Sequence, residues 1–197
     1  VMGAFFSSEY LFECVSLCNP SIVPAPGADA ASDPDGIPFI LSLRSIGEGH
    51  ISSISFREGV FGSDGSLRLD PPSRTVVEPR LLPHHSYDRS IFKRKLGELG
   101  LLDSFSRSVV AILKDNFTFD ELRSAIDSAS RGASTFSTFV KDGMLTLAQS
   151  NYEVAFGASD DMSSRVIFPL TPNQSNGMED ARFVLFEDSG EKTYYAT

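Results

Sequence analysis

Pro38-Phe39-Ile40-Leu41-Ser42-Leu43 and His50-Ile51-Ser52-Ser53-Ile54-Ser55-Phe56 flank the short stretch Arg44-Ser45-Ile46-Gly47-Glu48-Gly49. β-Branched and aromatic residues on both sides of a glycine-rich turn predict two antiparallel strands joined as a hairpin. Arg44 falls at the end of the first strand and His50 at the start of the second. Their side chains can converge on one mouth there, or serve as a surface arginine and a hydrogen-bonded histidine. Upstream, residues 4–18 are mostly apolar and aromatic, and Asn19-Pro20-Ser21-Ile22-Val23-Pro24 places prolines around a β-branched run, as in an extended segment at a sheet edge. The alanine, glycine, proline and aspartate of 24–38 read as an exposed connection. Downstream, Val60-Phe61, Leu67-Arg68-Leu69 and Thr75-Val76-Val77 are shorter β candidates, with a turn at Asp64-Gly65. His84 and His85 lack metal-ligand spacing and read as loop residues.

The period changes near Tyr87. Phe92, Leu96, Leu99, Leu102, Phe105, Val109 and Ile112 recur every three or four residues, which puts them on one helical face. Gly97 and Gly100 predict a break into two helices, with Asp103 capping the second. Thr118-Phe119-Asp120-Glu121 is a capping box opening a third helix, whose apolar face is Phe119, Leu122, Ala125, Ile126 and Ala129 and whose stop is Gly132. A fourth is expected over 135–149. From Asn151 the period returns to two, and 152–156, 164–168, 182–186 and 193–195 read as strands. The last two are joined by the turn Glu187-Asp188-Ser189-Gly190. The expected organisation is strands over 1–86, a helical insertion over 87–149 and further strands over 150–197. No fixed-period repeat is evident, although short antiparallel strands separated by loops suit propeller blades.

With 41% hydrophobic residues in 197, the composition is that of a soluble globular protein. The formal charge of −9 and the lack of a basic stripe interleaved with aromatics argue against nucleic acid as a partner, and the run Lys93-Arg94-Lys95 reads as a solvated helix face. Cys14 and Cys18 have no second pair or nearby histidine to complete a zinc site and read as reduced core thiols. No apolar run approaches the ~20 residues of a membrane span, and no signal-peptide order is present, so a cytoplasmic location is expected. Val1 precedes Met2, and Tyr194-Tyr195-Ala196-Thr197 ends the chain within an expected strand, the pattern of a fragment of a longer reading frame.

The stretch that draws chemical interest is Ser175-Asn176-Gly177-Met178-Glu179-Asp180-Ala181-Arg182-Phe183. It sets two carboxylates and a guanidinium in a glycine-led turn before an apolar strand. By residue type alone this is either a chemical site or an ion-paired turn. Asn19-Pro20-Ser21, Ser42-Leu43-Arg44-Ser45 and Gly177-Met178-Glu179-Asp180-Ala181-Arg182, in that order, resemble the motifs of glycoside hydrolase family 130, the β-mannoside phosphorylases and β-mannosidases. The resemblance implies a mainly β fold, the first blades of a five-bladed β-propeller, interrupted by the helical block. It implies an inverting cleavage of β-mannosides with Asp180 as proton donor. Asn19, Arg44 and Ser45 would line the sugar pocket, and Glu179 and Arg182 would flank Asp180. Ala181 stands where the family has proline, which removes the backbone restraint at that turn.

Glycoside cleavage needs a proton for the leaving oxygen and a nucleophile on the opposite face of the ring. A phosphorylase would use inorganic phosphate as co-substrate, and a hydrolase a water activated by a second carboxylate. No other cofactor and no metal is expected. The family's main phosphate ligands would lie in blades beyond Thr197, so the isolated chain is expected to be inactive, with β-mannoside oligosaccharide as the ligand of the whole. Two further readings remain open from the residues: a non-catalytic carbohydrate-binding propeller, and a structural protein whose helical block docks a partner or a second copy in a homo-oligomer.

Overall fold

In the computed structural model, which describes residues 10–28, 36–82, 86–132, 138–171 and 174–197, the hairpin forms the middle of an antiparallel sheet. Strands β1 (Ser16–Pro24), β2 (Ile37–Ile46), β3 (Ser52–Phe61) and β4 (Leu67–Leu69) lie side by side in that order. The hairpin is longer than the sequence pattern predicts, because Arg44, Ser45 and Ile46 pair with Ile54, Ser53 and Ser52 and so continue β2. The connection then shrinks to a 3-10 turn at Glu48–His50, where Gly49 and His50 take φ of 71° and 59°. β1 is the expected edge strand, broken between Cys18 and Ser21 by a bulge. Thr75-Val76-Val77 is not a strand: Val77 forms a lone parallel bridge to Arg165.

Residues 80–155 then make a unit of their own, together with 171–173. Two-residue β5 (Arg80–Leu81) pairs with β8 (Val154–Ala155), so the strand expected over 152–156 contracts to its centre. β6 (Ser86–Asp88) pairs with β7 (Asn116–Thr118). Between and after them run α1 (Arg89–Glu98), α2 (Ser104–Ile112), α3 (Phe119–Gly132) and α4 (Thr138–Gln149). The expected break and caps are present: Asp103 caps α2, while the Thr118 amide donates to Glu121 and the Glu121 amide to the Thr118 hydroxyl. Phe92, Leu96, Phe105, Val109, Leu122 and Ile126 are buried in one cluster with Phe117 and Met144.

Leu99 and Ile112, assigned to the same face by period, are exposed at 58% and 54%. Both stand at helix ends, where the chain leaves the 3.6-residue repeat, and Leu101 and Leu113 fill the core in their place. His84 and His85 lie outside the described residues, as do 135–137 and, in the connection expected to be exposed between 24 and 38, residues 29–35.

The chain next returns to the first unit. β9 (Val166–Ile167) pairs with β3 at Ile54 and Ser55. β10 (Phe183–Asp188) and β11 (Glu191–Ala196) form the expected second hairpin. Its two turn residues, Ser189 and Gly190, take φ of 52° and 85°, the left-handed pair that matches strand twist. Val23, Phe39, Ile54, Phe56 and Val166 are buried here alongside Ser42, Ser45, Ser52, Ser53, Ser55 and Arg57. This interior is more polar than that of the helical unit. Cys14 is exposed and Cys18 only half-buried, so neither is a core thiol. The fold is β-rich and mixed, built from small antiparallel sheets, and no sheet closes on itself among the described residues. No described helix is long and apolar enough to cross a membrane.

Candidate functional site

The three motifs far apart in sequence meet on one face of the first unit's sheet. Side chains alternate along a strand, so Ile40, Ser42 and Arg44 of β2 share a face with their partners Phe56 and Ile54 of β3. Arg44 lies within β2, with its side chain 23% exposed. One terminal nitrogen donates to Asp180 Oδ1 and to Glu179 Oε2, each at 3.3 Å, and the other donates to Ser52 Oγ at 3.3 Å. Its Nε is buried, and among the described residues it has no hydrogen-bond partner. Two carboxylates and one guanidinium thus form a single ion-paired cluster, with Asp180 36% exposed and Glu179 88%.

Asn19 enters the cluster because of the β1 bulge. Its φ of 52° is in the left-handed region, which asparagine tolerates better than most residues. The bulge re-aims the side chain, and Nδ2 donates to Asp180 Oδ1 at 2.5 Å, across 161 residues of sequence. Both donors to Asp180 use Oδ1. Among the described residues, no hydrogen bond reaches Oδ2.

The turn carrying Asp180 is fixed by Ser52. Met178 N donates to Ser52 O at 2.8 Å, and Ser52 Oγ donates to Met178 O at 2.6 Å. Gly177 makes this approach with φ of +97°, and a Cβ there would stand 2.6 Å from the Ser52 amide nitrogen. The glycine that the sequence marks as leading the turn is therefore required twice over, by conformation and by space. Arg182 does not bind the acids: it donates to Pro20 O at 2.9 Å, while its backbone pairs with Thr197. It holds the start of β10 against the bulge that presents Asn19, and Phe183 N adds a bond to Ser21 Oγ at 2.9 Å.

Ser45 and His50 both lie apart from the cluster. Ser45 follows Arg44 and so points to the other face, fully buried, where its hydroxyl meets that of Ser55 and lies 3.5 Å from Glu13 Oε1. There Glu13 also accepts from buried Arg57 at 2.5 Å. Ser45 belongs to this interior network and not to the Arg44 cluster. His50 is exposed on the 3-10 turn and does not converge with Arg44, because the strand it was expected to begin starts later, at Ser52. Ser52, and not His50, stands beside Arg44. Strand parity could have excluded Ser45, but Ser52 is recognisable only from the register that pairs it with Ile46.

As a chemical arrangement, the cluster offers a part-exposed carboxyl group with one oxygen held by two donors, and an arginine beside it. Among the described residues no group of three or more histidine, cysteine or acidic side chains is placed to hold a metal ion. No protein-family model, curated protein or solved structure matches this chain. The resemblance to glycoside hydrolase family 130 thus stands on the three short motifs.

Proposed function

We propose that the Asn19–Arg44–Asp180 cluster is the acid-bearing half of a carbohydrate-cleaving site, acting on β-mannosides by inverting hydrolysis or phosphorolysis. The observation that carries the reading is the convergence of the three motifs: Asn19 and Arg44, 161 and 136 residues from Asp180, both donate to one oxygen of its carboxyl group. Asp180 is the proton donor, with Oδ2 facing the glycosidic oxygen directly or through a sugar hydroxyl. Asn19 and Arg44 fix the carboxyl group and can also bind sugar hydroxyls, and Ser52 and Gly177 set the turn. Glu179 extends from the Arg44 side into solvent. The attacking group is inorganic phosphate or a water activated by another carboxylate. On this reading the antiparallel strands are parts of the first blades of a propeller, and the helical unit is an insertion in it.

Binding and turnover separate this reading from its alternative. The protein is titrated with β-1,4-mannobiose, and its products are followed with and without phosphate, including the longer reading frame where one is present. Free mannose alone reports hydrolysis, and mannose 1-phosphate reports phosphorolysis. Asp180→Asn should lower turnover by about 100-fold or more while leaving the fold and binding in place. Binding without turnover favours a carbohydrate-binding protein, for which the doubly held carboxylate is also suited as an acceptor of sugar hydroxyls. Failure to bind both the disaccharide and methyl β-mannoside rejects both.

A further inference from the structure

A cavity of about 250 Å³ lies on the same sheet face as the acid cluster. Its walls carry four aromatic rings: Phe56, Phe156, Phe183 and Tyr194. Ser21, Ser42 and Phe56 form one cross-strand row along its floor, and Arg44 with Ile54 forms the row two residues further along the strands. Two residues advance a strand by about 7 Å, so the cavity begins about one sugar-ring length from the groups holding Asp180. Phe183, whose amide is bonded to Ser21, links cavity and site directly, standing three residues from Asp180.

The polar groups of the lining are already engaged. Ser42 Oγ donates to Ser21 O, Ser21 Oγ accepts from Phe183 N, and the Tyr194 hydroxyl donates to Pro24 O. Arg165 donates through Nε and a terminal nitrogen to Asp160 O, and its guanidinium lies over the Phe156 ring. Each polar residue of the lining is thus already engaged within the protein. What remains is apolar surface, and an apolar cavity of about 150 Å³ is enough to take a benzene ring.

We infer that this cavity is an aglycone subsite that receives an aromatic group attached to the sugar held at Asp180, so that the substrate class is an aryl β-glycoside. The inference rests on the carbohydrate reading above. A polar second sugar would desolvate its hydroxyls against the four rings without replacement partners, whereas an aromatic ring loses only water.

The methionines allow the two ideas to be tested apart. Met162 lines the cavity, Met178 sits in the turn bonded to Ser52 beside Glu179, and Met144 is buried in the helical core. The protein is labelled with ¹³C at the methionine methyls and titrated with phenol, methyl β-mannoside and phenyl β-mannoside. Phenol should shift Met162 alone, methyl β-mannoside Met178 alone, and phenyl β-mannoside both, with Met144 unmoved throughout. Phenyl β-mannoside should bind about tenfold tighter than the methyl glycoside. If Met178 responds to both glycosides but Met162 to neither phenol nor the phenyl group, the cavity is a packing void and the inference is overturned. Equal affinity for the two glycosides overturns it as well. If phenol shifts Met162 and no glycoside shifts Met178, the carbohydrate reading fails and the aglycone assignment with it, leaving an aromatic-binding cavity.

Discussion

Gly177 and Asn19 sit in left-handed backbone regions for different reasons, and substitutions distinguish them. Gly177 has no room for a side chain, so Gly177→Ala adds both backbone strain and a clash with the Ser52 amide. It should destabilise the protein by about 2 to 3 kcal/mol, read from denaturant midpoints, and a neutral outcome would refute the packing described for this turn. Asn19 has room but spends its side chain on Asp180. Asn19→Gly keeps the left-handed conformation and removes only the bond, whereas Asn19→Ala removes both. The alanine variant should therefore be less stable than the glycine variant by about 1 kcal/mol, while both weaken sugar binding to a similar extent. Equal stabilities would place Asn19 outside the bulge.

Helix ends are where local sequence and structure agree most closely. Asp88 accepts from the Ser90 and Ile91 amides at the start of α1, and the Thr118–Glu121 box opens α3. The amide of Thr118 first, and then the ammonium of Lys114, hold the Glu121 carboxyl below its ordinary value of 4.5. The Ser90 hydroxyl first, and then the Ile91 amide, similarly lower Asp88 from 3.8. A carboxylate with a lowered value in the fold adds stability above its unfolded value, and that contribution disappears as pH falls through the folded one. The melting temperature of the protein should thus fall more steeply below pH about 4.5 than that of Glu121→Gln, which is less stable at neutral pH but has no proton to gain there. Parallel curves in acid would remove the box from the account of α3.

The two units differ in how they are held. The helical one has an apolar core in which Leu96, Leu122 and Met144 have no exposed surface. The sheet unit has few large buried side chains and instead buries serines and Arg57, bonded to each other, to Glu13 and to the backbone. Leu96→Ala should cost about 2 to 5 kcal/mol and unfold the helical unit at lower temperature. Because that core contains no residue of the sheet unit, the Met178 methyl signal should stay in place through this first transition. Simultaneous loss of Met144 and Met178 signals would show that the two cores melt as one.

The two hairpins, the helices and their caps were legible because each rests on neighbours within a few residues: a turn glycine, a 3.6-residue stripe, a threonine followed by a glutamate. Period two likewise placed Arg44 in or beside a strand. The motif residues Asn19, Arg44 and Asp180 were readable as types in a pattern, and Gly177 as a residue with a conformational duty. Tertiary structure alone decided their company. A left-handed bulge aims Asn19 at Asp180, and cross-strand register puts Ser52 beside Arg44. The first outcome depends on a contact across 161 residues and both on the register between strands, and local side-chain preference carries no record of either.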